Sequence, residues 1–247
     1  VTINALPTIT GTLNACVGTT TQLTGLGTAN TTNPWVSDNI AIATVSNTGL
    51  VTGVTGGTAI ITYTNSNGCA TKATVIINAL PTITGTLNAC VGLTTQLTAS
   101  GTANATNPWI SSNNAIATVS NTGLVTGVSV GSATITYKNS NGCDITAIVT
   151  VTLPTITGAL NACIGTTTQL TGSGTANATN PWISSNSAVA TVSSTGLVTG
   201  VTVGSATITY KNSNGCDVTA IVTINALPTI TGTLNACVGT TTQLTGL

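Results

Sequence analysis

The sequence predicts an all-β chain built as tandem seven-stranded β-sandwiches arranged end to end, and three observations carry that expectation. First, "LPTITG" begins at Leu6, Leu80, Leu153 and Leu227, at spacings of 74, 73 and 74 residues. Such self-similarity marks a repeat architecture. Second, apolar residues alternate with polar ones at period 2 and nothing reads at 3.6, which argues strands and not helices. Third, the alternating runs are short and fall about 8–12 residues apart with turn signals between them, the pattern of a β-sandwich.

The period divides the chain into five segments. Residues 1–5 read as the end of a preceding repeat, 6–79, 80–152 and 153–226 as three repeats, and 227–247 as the start of a fourth. The single deletion falls where "INALP" becomes "VTLP", so the joint reads as a surface connection that tolerates change. The chain begins and ends inside a repeat, which reads as an excerpt from a longer protein.

Within the second repeat the runs are "PTITGTLNA", "TTQLTA", "PWISS", "IATVS", "LVTGV", "SATITYK" and "ITAIVTV". In "SATITYK", Ala133, Ile135 and Tyr137 share one face, with Thr134, Thr136 and Lys138 on the other. In "ITAIVTV", Ala147, Val149 and Val151 oppose Ile148 and Thr150. Seven such runs per repeat match an immunoglobulin-like sandwich. Trp35, Trp109 and Trp182 each follow a proline on the third run. Each is expected in the core between the sheets, because an aromatic buries roughly 150–250 Å² and the chain has no Phe. The competing role, an exposed stacking platform, requires an open ring face.

Composition excludes whole classes of function. Charged residues make up 2% of the chain, against about 25% in ordinary domains. Thr supplies about a quarter of all residues, and Arg, Glu, His, Met and Phe are absent. Acid–base catalysis needs titratable groups, and only Asp38, Asp144 and Asp217 are acidic. No catalytic residue, cofactor site or metal site is therefore expected, and the chain reads as a non-enzyme. Phosphate neutralisation needs clustered Lys or Arg, which three scattered lysines do not supply, so no nucleic-acid partner is expected. No apolar run approaches the roughly 20 residues of a membrane span.

The stretch "NPWVSDNIAIATVSNTGLVTGVTGGTAIITY" resembles the central signature of the bacterial Ig-like domain, group 2. The residues that carry the resemblance in the first repeat are Trp35, Ser37, Ala43, Val45, Gly49, Val51, Gly57, Ala59 and Ile61. The match recurs in all three repeats. It implies tandem domains of a large bacterial surface adhesin or fibre, of the kind that includes invasin- and intimin-like adhesins. The cysteine phrases are also similar to those of secreted repeat proteins of Bacteroidota, including gliding adhesins.

Seven cysteines, at 16, 69, 90, 143, 163, 216 and 237, alternate at 53 and 20–21 residues. Regular cysteines in such a repeat argue for disulfides formed in an oxidising compartment. Two pairings stay open. The pairing within repeats joins Cys16–Cys69, Cys90–Cys143 and Cys163–Cys216. Strand order favours pairing between repeats, Cys16–Cys143 and Cys90–Cys216. In a sandwich, Cys90 precedes the second strand at one end, and the "YKNSNGC" hairpin turns at the other. Those ends lie roughly 20–25 Å apart, while a disulfide needs Cα atoms within about 7 Å. Cys69, Cys163 and Cys237 would then bond partners in further repeats.

Asn30, Asn104 and Asn177 begin N-x-T sequences and are candidate glycosylation acceptors. Lys138 with Asp144, and Lys211 with Asp217, flank the last hairpin, where an exposed pair contributes about 0–1 kcal/mol. The function expected is the shaft of an extracellular bacterial surface fibre, with neighbouring repeats and lateral copies as partners. The alternative is a Thr-rich module that binds a glycan or a surface, ice included.

Overall fold

The computed structural model describes residues 2–246, and every regular element among them is a β-strand. The outer limits of the first and last predicted segments, Val1 and Leu247, lie outside the described residues. The first repeat forms β1 (Ile9–Gly11), β2 (Asn14–Cys16), β3 (Thr20–Gly25), β4 (Trp35–Ser37), β5 (Ala43–Val45), β6 (Leu50–Gly53), β7 (Gly57–Thr64) and β8 (Ala70–Asn78). The second forms β9 (Ile83–Gly85), β10 (Asn88–Cys90), β11 (Thr94–Ala99), β12 (Trp109–Ser111), β13 (Ala117–Val119), β14 (Leu124–Gly127), β15 (Gly131–Lys138) and β16 (Asp144–Thr152). The third forms β17 (Ile156–Gly158), β18 (Asn161–Cys163), β19 (Thr167–Gly172), β20 (Trp182–Ser184), β21 (Ala190–Val192), β22 (Leu197–Gly200), β23 (Gly204–Lys211) and β24 (Asp217–Asn225). A last hairpin pairs β25 (Ile230–Gly232) with β26 (Leu244–Gly246).

The chain divides into two compact units, and the division runs through the second repeat. One unit comprises Val1–Leu87, Thr95–Thr126 and Ser132–Val149; the other comprises Asn88–Thr94, Gly127–Gly131 and Thr150–Leu247. In the first unit, the first repeat is a sandwich of two four-stranded sheets, ordered β1-β3-β6-β5 and β2-β8-β7-β4. From the second repeat this unit also contains the β9–β11 and β12–β15 antiparallel pairs. In the second unit, the third repeat repeats the design as β17-β19-β22-β21 and β18-β24-β23-β20.

The first of the seven predicted runs is shared between both sheets. Gly11 and Gly158 each turn the chain at φ +124°. A Cβ at either would overlap the carbonyl oxygen of Gln22 or Gln169 on the neighbouring strand. Only glycine takes that corner without strain. Beyond it, Thr21 Oγ1 donates to the Thr12 carbonyl at 2.8 Å and steadies the crossing. The chain then enters the opposite sheet as β2, which pairs in parallel with the end of β8: Asn14 with Ile76, Ala15 with Ile77, Cys16 with Asn78.

Alternation fixes which side chains face inward. Ala133, Ile135, Tyr137, Val149 and Val151 are buried, while Ile148 is 62% exposed. In the first repeat, Leu23, Trp35, Ala43, Val51, Ile61, Tyr63, Val75 and Ile77 form one core. Full burial of each large aliphatic contributes roughly 1.5–3 kcal/mol. Trp35 stands opposite Tyr63 in register, with ring centroids 4.6 Å apart. The buried phenol donates to the Gly27 carbonyl at 3.0 Å, which satisfies its one proton. A Cβ at Gly25 would overlap the Tyr63 ring. The second repeat has Ala99 at that position, and its Trp109–Tyr137 pair is tilted at 52° against 41° in the first.

Candidate functional site: the disulfide-bonded joints

Each joint is assembled from two short devices, and the first is a hairpin built on a buried asparagine. Between β15 and β16, Asn139 N–H donates to the Cys143 carbonyl at 2.9 Å. The Asn139 side-chain Oδ1 accepts from Asn141 N–H at 3.1 Å and Cys143 N–H at 3.0 Å. Gly142, at φ +83°, completes the turn. Asn212 does the same for Asn214 and Cys216. Among the described residues, Asn65, Asn139 and Asn212 are the buried polar ones, and Cys143 and Cys216 are 1% exposed. The turn therefore presents a sulfur from a fixed backbone. Asn212→Ala would orphan the buried Cys216 N–H and leave the Asn214 N–H to solvent. It is expected to destabilise the third repeat by about 1–3 kcal/mol in urea unfolding and to speed reduction of its hairpin disulfide.

The second device ends β2. Cys16 N–H donates to Thr19 Oγ1 at 3.0 Å, and the same hydroxyl donates back to the Cys16 carbonyl at 3.0 Å. Thr166 holds Cys163 in this way, and Thr240 holds Cys237. The second repeat carries Leu93 at that position, so its turn keeps only the backbone bond from Leu93 N–H to the Cys90 carbonyl, at 3.0 Å.

The structure brings these devices together across the repeat boundaries. Cys16 is bonded to Cys143 with Cα atoms 5.6 Å apart, within the first unit. Cys90 is bonded to Cys216 with Cα atoms 5.5 Å apart, within the second. The alternative pairing within repeats, Cys16–Cys69, Cys90–Cys143 and Cys163–Cys216, is not formed, and the register gives the reason. Cys16 lies level with Asn78 at the end of β8, whereas Cys69 precedes its first residue. A nine-residue strand, about 30 Å, separates them. The same strand length parts Cys163, level with Asn225, from Cys216. Likewise Cys90 is level with Thr152 at the end of β16, and Cys143 precedes its start.

The deleted joint residue is the counterpart of Ala79, since Asn78 and Thr152 hold the same register position. At the shorter joint, Thr152 Oγ1 lies 3.2 Å from Cys216 Sγ. The bonded sulfur has no proton, so the hydroxyl is the donor. A cavity of about 360 Å³ adjoins this joint, lined by Val130, Thr152, Leu153, Pro154, Ser173 and Asn212 among others. Its named walls are hydroxyl, amide and aliphatic groups that carry no formal charge.

Cys69, Cys163 and Cys237 carry free thiols. Cys69 sits in an Asn65 hairpin like that of Cys143, and Cys163 and Cys237 have the threonine-pinned turn of Cys16. Each is thus built like a bonded counterpart.

The remaining sequence candidates are placed as follows. Trp35, Trp109 and Trp182 are 6–8% exposed and present no open ring face. Shallow cavities of about 250 and 210 Å³ lie over Trp35 and Trp182. In the first of them, the Gln22 amide already donates to the Leu23 and Thr48 carbonyls. Asn30, Asn104 and Asn177 each accept the N–H of the residue two positions on, at 2.9–3.0 Å, through Oδ1. Lys211 stands opposite Asp217 in the hairpin register. Among the described residues no three His, Cys, Asp or Glu side chains gather where they would hold a metal. No helix among them is long and apolar enough to cross a membrane. The sequence reading missed the buried asparagines and the threonine pins; the recurrence of "NSNGC" and of "GTTTQLT" was the available signal.

Sandwiches of this topology, repeated along one chain, define an immunoglobulin-like repeat protein. The chain belongs to the bacterial Ig-like domain (group 2) family, whose model matches residues 8–76, 82–150 and 149–222. It is 34% identical to ice-binding protein 1 of Shewanella frigidimarina (strain NCIMB 400), over 71% of this chain and 22% of that protein. The chain thus spans about a fifth of that relative's length. Among solved structures it is similar to invasin, a bacterial integrin-binding protein, with 18% identity and a TM-score of 0.40 over 92% of this chain and 60% of that one. A C-terminal fragment of intimin, solved with the intimin-binding domain of its translocated receptor, shows 22% identity and a TM-score of 0.33, over 62% and 54%. These structural likenesses concern the fold alone.

Proposed function

We propose that this chain is part of the structural shaft of an extracellular bacterial surface fibre or adhesin, and that its role is mechanical and not enzymatic. The observation that carries the reading is that both disulfides join consecutive repeats and neither closes a single one. A binding module needs its sandwich stabilised; a shaft needs its joints held. Such bonds persist outside the reducing cytosol. Repeats that depend on their neighbours lengthen by addition, with stability roughly a sum over units and interfaces. The near-absence of charge leaves little for salt to screen. Segments 6–79, 80–152 and 153–226 are the building units in this reading, neighbouring repeats and lateral copies are the partners, and Asn30, Asn104 and Asn177 are candidate sites for attached glycan.

Immunogold labelling of native cells with an antibody raised against this chain tests it. Label is expected on material outside the envelope, and label confined to the cytosol would overturn the reading.

A second reading is supported by the ice-binding relative and by one exposed face. On the outside of β20, β23 and β24, Ile183 and Ile221 are 54% and 64% exposed beside Thr207, Thr209 and Thr219. That face would meet a glycan or an ice surface. Sheet twist works against it, since a flat lattice needs a flat array. Ice recrystallisation and thermal hysteresis measured with the chain and with Ile221→Lys separate the two. The shaft reading expects neither protein to affect ice growth. Activity of the chain that Ile221→Lys abolishes would establish the second reading instead.

A further inference from the structure

We infer that the disulfides thread the repeats onto two interleaved covalent lines, which carry tension past the sandwich cores. The first line runs through β1 and β2 to Cys16, crosses to Cys143, and follows β16, β17 and β18 to Cys163. The second runs from Cys69 through β8, β9 and β10 to Cys90, crosses to Cys216, and follows β24 and the joint beyond it towards Cys237. Each line therefore takes the first strands of one repeat and the last strand of the next.

The strand pairing fits this division. β2 pairs in parallel with β8, β10 with β16, and β18 with β24. Every one of these pairs joins a strand of one line to a strand of the other. Parallel pairing is what two lines running the same way along the chain require, whereas β23 and β24 of one hairpin pair antiparallel. The two lines are thus hydrogen-bonded to each other in every repeat, and they exchange places at each joint.

The remaining residues lie on neither line. Residues 17–68, 91–142 and 164–215 hold β3 to β7, β11 to β15, β19 to β23 and all three tryptophans. Their unfolding cannot lengthen a chain whose tension bypasses them. The lines themselves have little slack. Of the 20 residues from Asp144 to Cys163, 15 are already in strands, where the rise of about 3.3 Å per residue is close to the limit of an extended chain. The free thiols fall where the lines go on. Cys69 opens the second line, while Cys163 and Cys237 stand where the first and second would cross to a further hairpin.

This inference rests on the shaft reading only for the source of the tension; the connectivity stands on the bridges. Force spectroscopy on the full chain tests it, with one handle on the first residue and the other on a clickable residue replacing Leu160. That side chain is 43% exposed. With the crossed bridges intact, the covalent path holds residues 1–16 and 143–160, or 34 residues. At about 3.5 Å each, its final length is about 12 nm. Bridges closed within repeats would leave 56 residues on the path, about 20 nm. A fully reduced chain exposes all 160, about 56 nm.

The oxidised chain is expected to stop at about 12 nm without stepwise core release, and dithiothreitol to extend it nearly fivefold. An oxidised length of about 20 or about 56 nm would overturn the tension lines. Either outcome leaves the envelope labelling unchanged, and cytosolic label would end the shaft reading without altering these lengths.

Discussion

Trp182→Ala is expected to remove most of the stability of the third repeat, at a cost of about 3–5 kcal/mol. The indole is 8% exposed and packs on Tyr210 with ring centroids 4.7 Å apart. It also lies against Gly196, where any Cβ would press on its benzene edge at 3.0 Å. The core around it is Leu170, Ala190, Val198, Ala206, Ile208, Val222 and Ile224, so alanine residues occupy two of the seven positions. Removing the indole would leave a void beside Tyr210 and these aliphatic side chains. Whole domains are stable by only about 5–15 kcal/mol, and a repeat of this size sits low in that range. Urea unfolding followed by Tyr near-ultraviolet dichroism reads the loss. A change below about 1 kcal/mol would show that the indole anchors nothing. Because the Asn212 hairpin is held by its own hydrogen bonds, the Cys90–Cys216 bridge should survive the substitution.

The faces of the strands were legible because period-2 alternation has one physical cause, a sheet with one wet and one dry side. "SATITYK" shows this most clearly, with Ala133, Ile135 and Tyr137 inward. The break in "PTITGTLNA" was less legible. Gly85 sits inside the run at φ +124°, and a glycine within a strand pattern is the mark of a bend, but the run on either side still alternates. The end-to-end position of the cysteines followed from counting strands, since a hairpin and a strand end cannot share a level. Their register did not. Cys16 is placed level with Asn78 by the parallel pairing of β2 and β8, a contact between residues 62 apart that no local pattern encodes. The threonine pin and the buried asparagine were hidden by composition. Thr is about a quarter of this chain and Asn is common, so Thr19 and Asn139 do not stand out from their neighbours.

The double substitution Cys90→Ala/Cys216→Ala is expected to loosen one joint and leave the sandwiches folded. Replacing both cysteines leaves no new thiol to mispair. The bridge closes a loop of 126 residues, for which the chain-entropy model gives about 5 kcal/mol, an upper figure because residual structure in the unfolded chain lowers it. The loss should fall on the joint, because the parts of each sandwich keep their own bonds. The Asn212 hairpin retains both side-chain hydrogen bonds. The pairing of β18 with β24 is also untouched, as Asn161, Ala162 and Cys163 keep Thr223, Ile224 and Asn225 as partners. What changes is the segment Thr152–Leu153–Pro154, then the sole covalent link at that boundary. Far-ultraviolet dichroism should match the parent, while proteolysis at Leu153 should rise and the urea midpoint fall. The opposite pattern, a softened β23–β24 core with an unchanged cleavage rate at Leu153, would mean that this bridge stabilises a repeat and not the boundary between two. The parallel test on Cys16 and Cys143 should give a milder rise in cleavage. Thr19 holds the Cys16 turn by two hydrogen bonds, whereas Leu93 offers no hydroxyl to Cys90. The joint whose turn has the weaker internal support depends more on its disulfide.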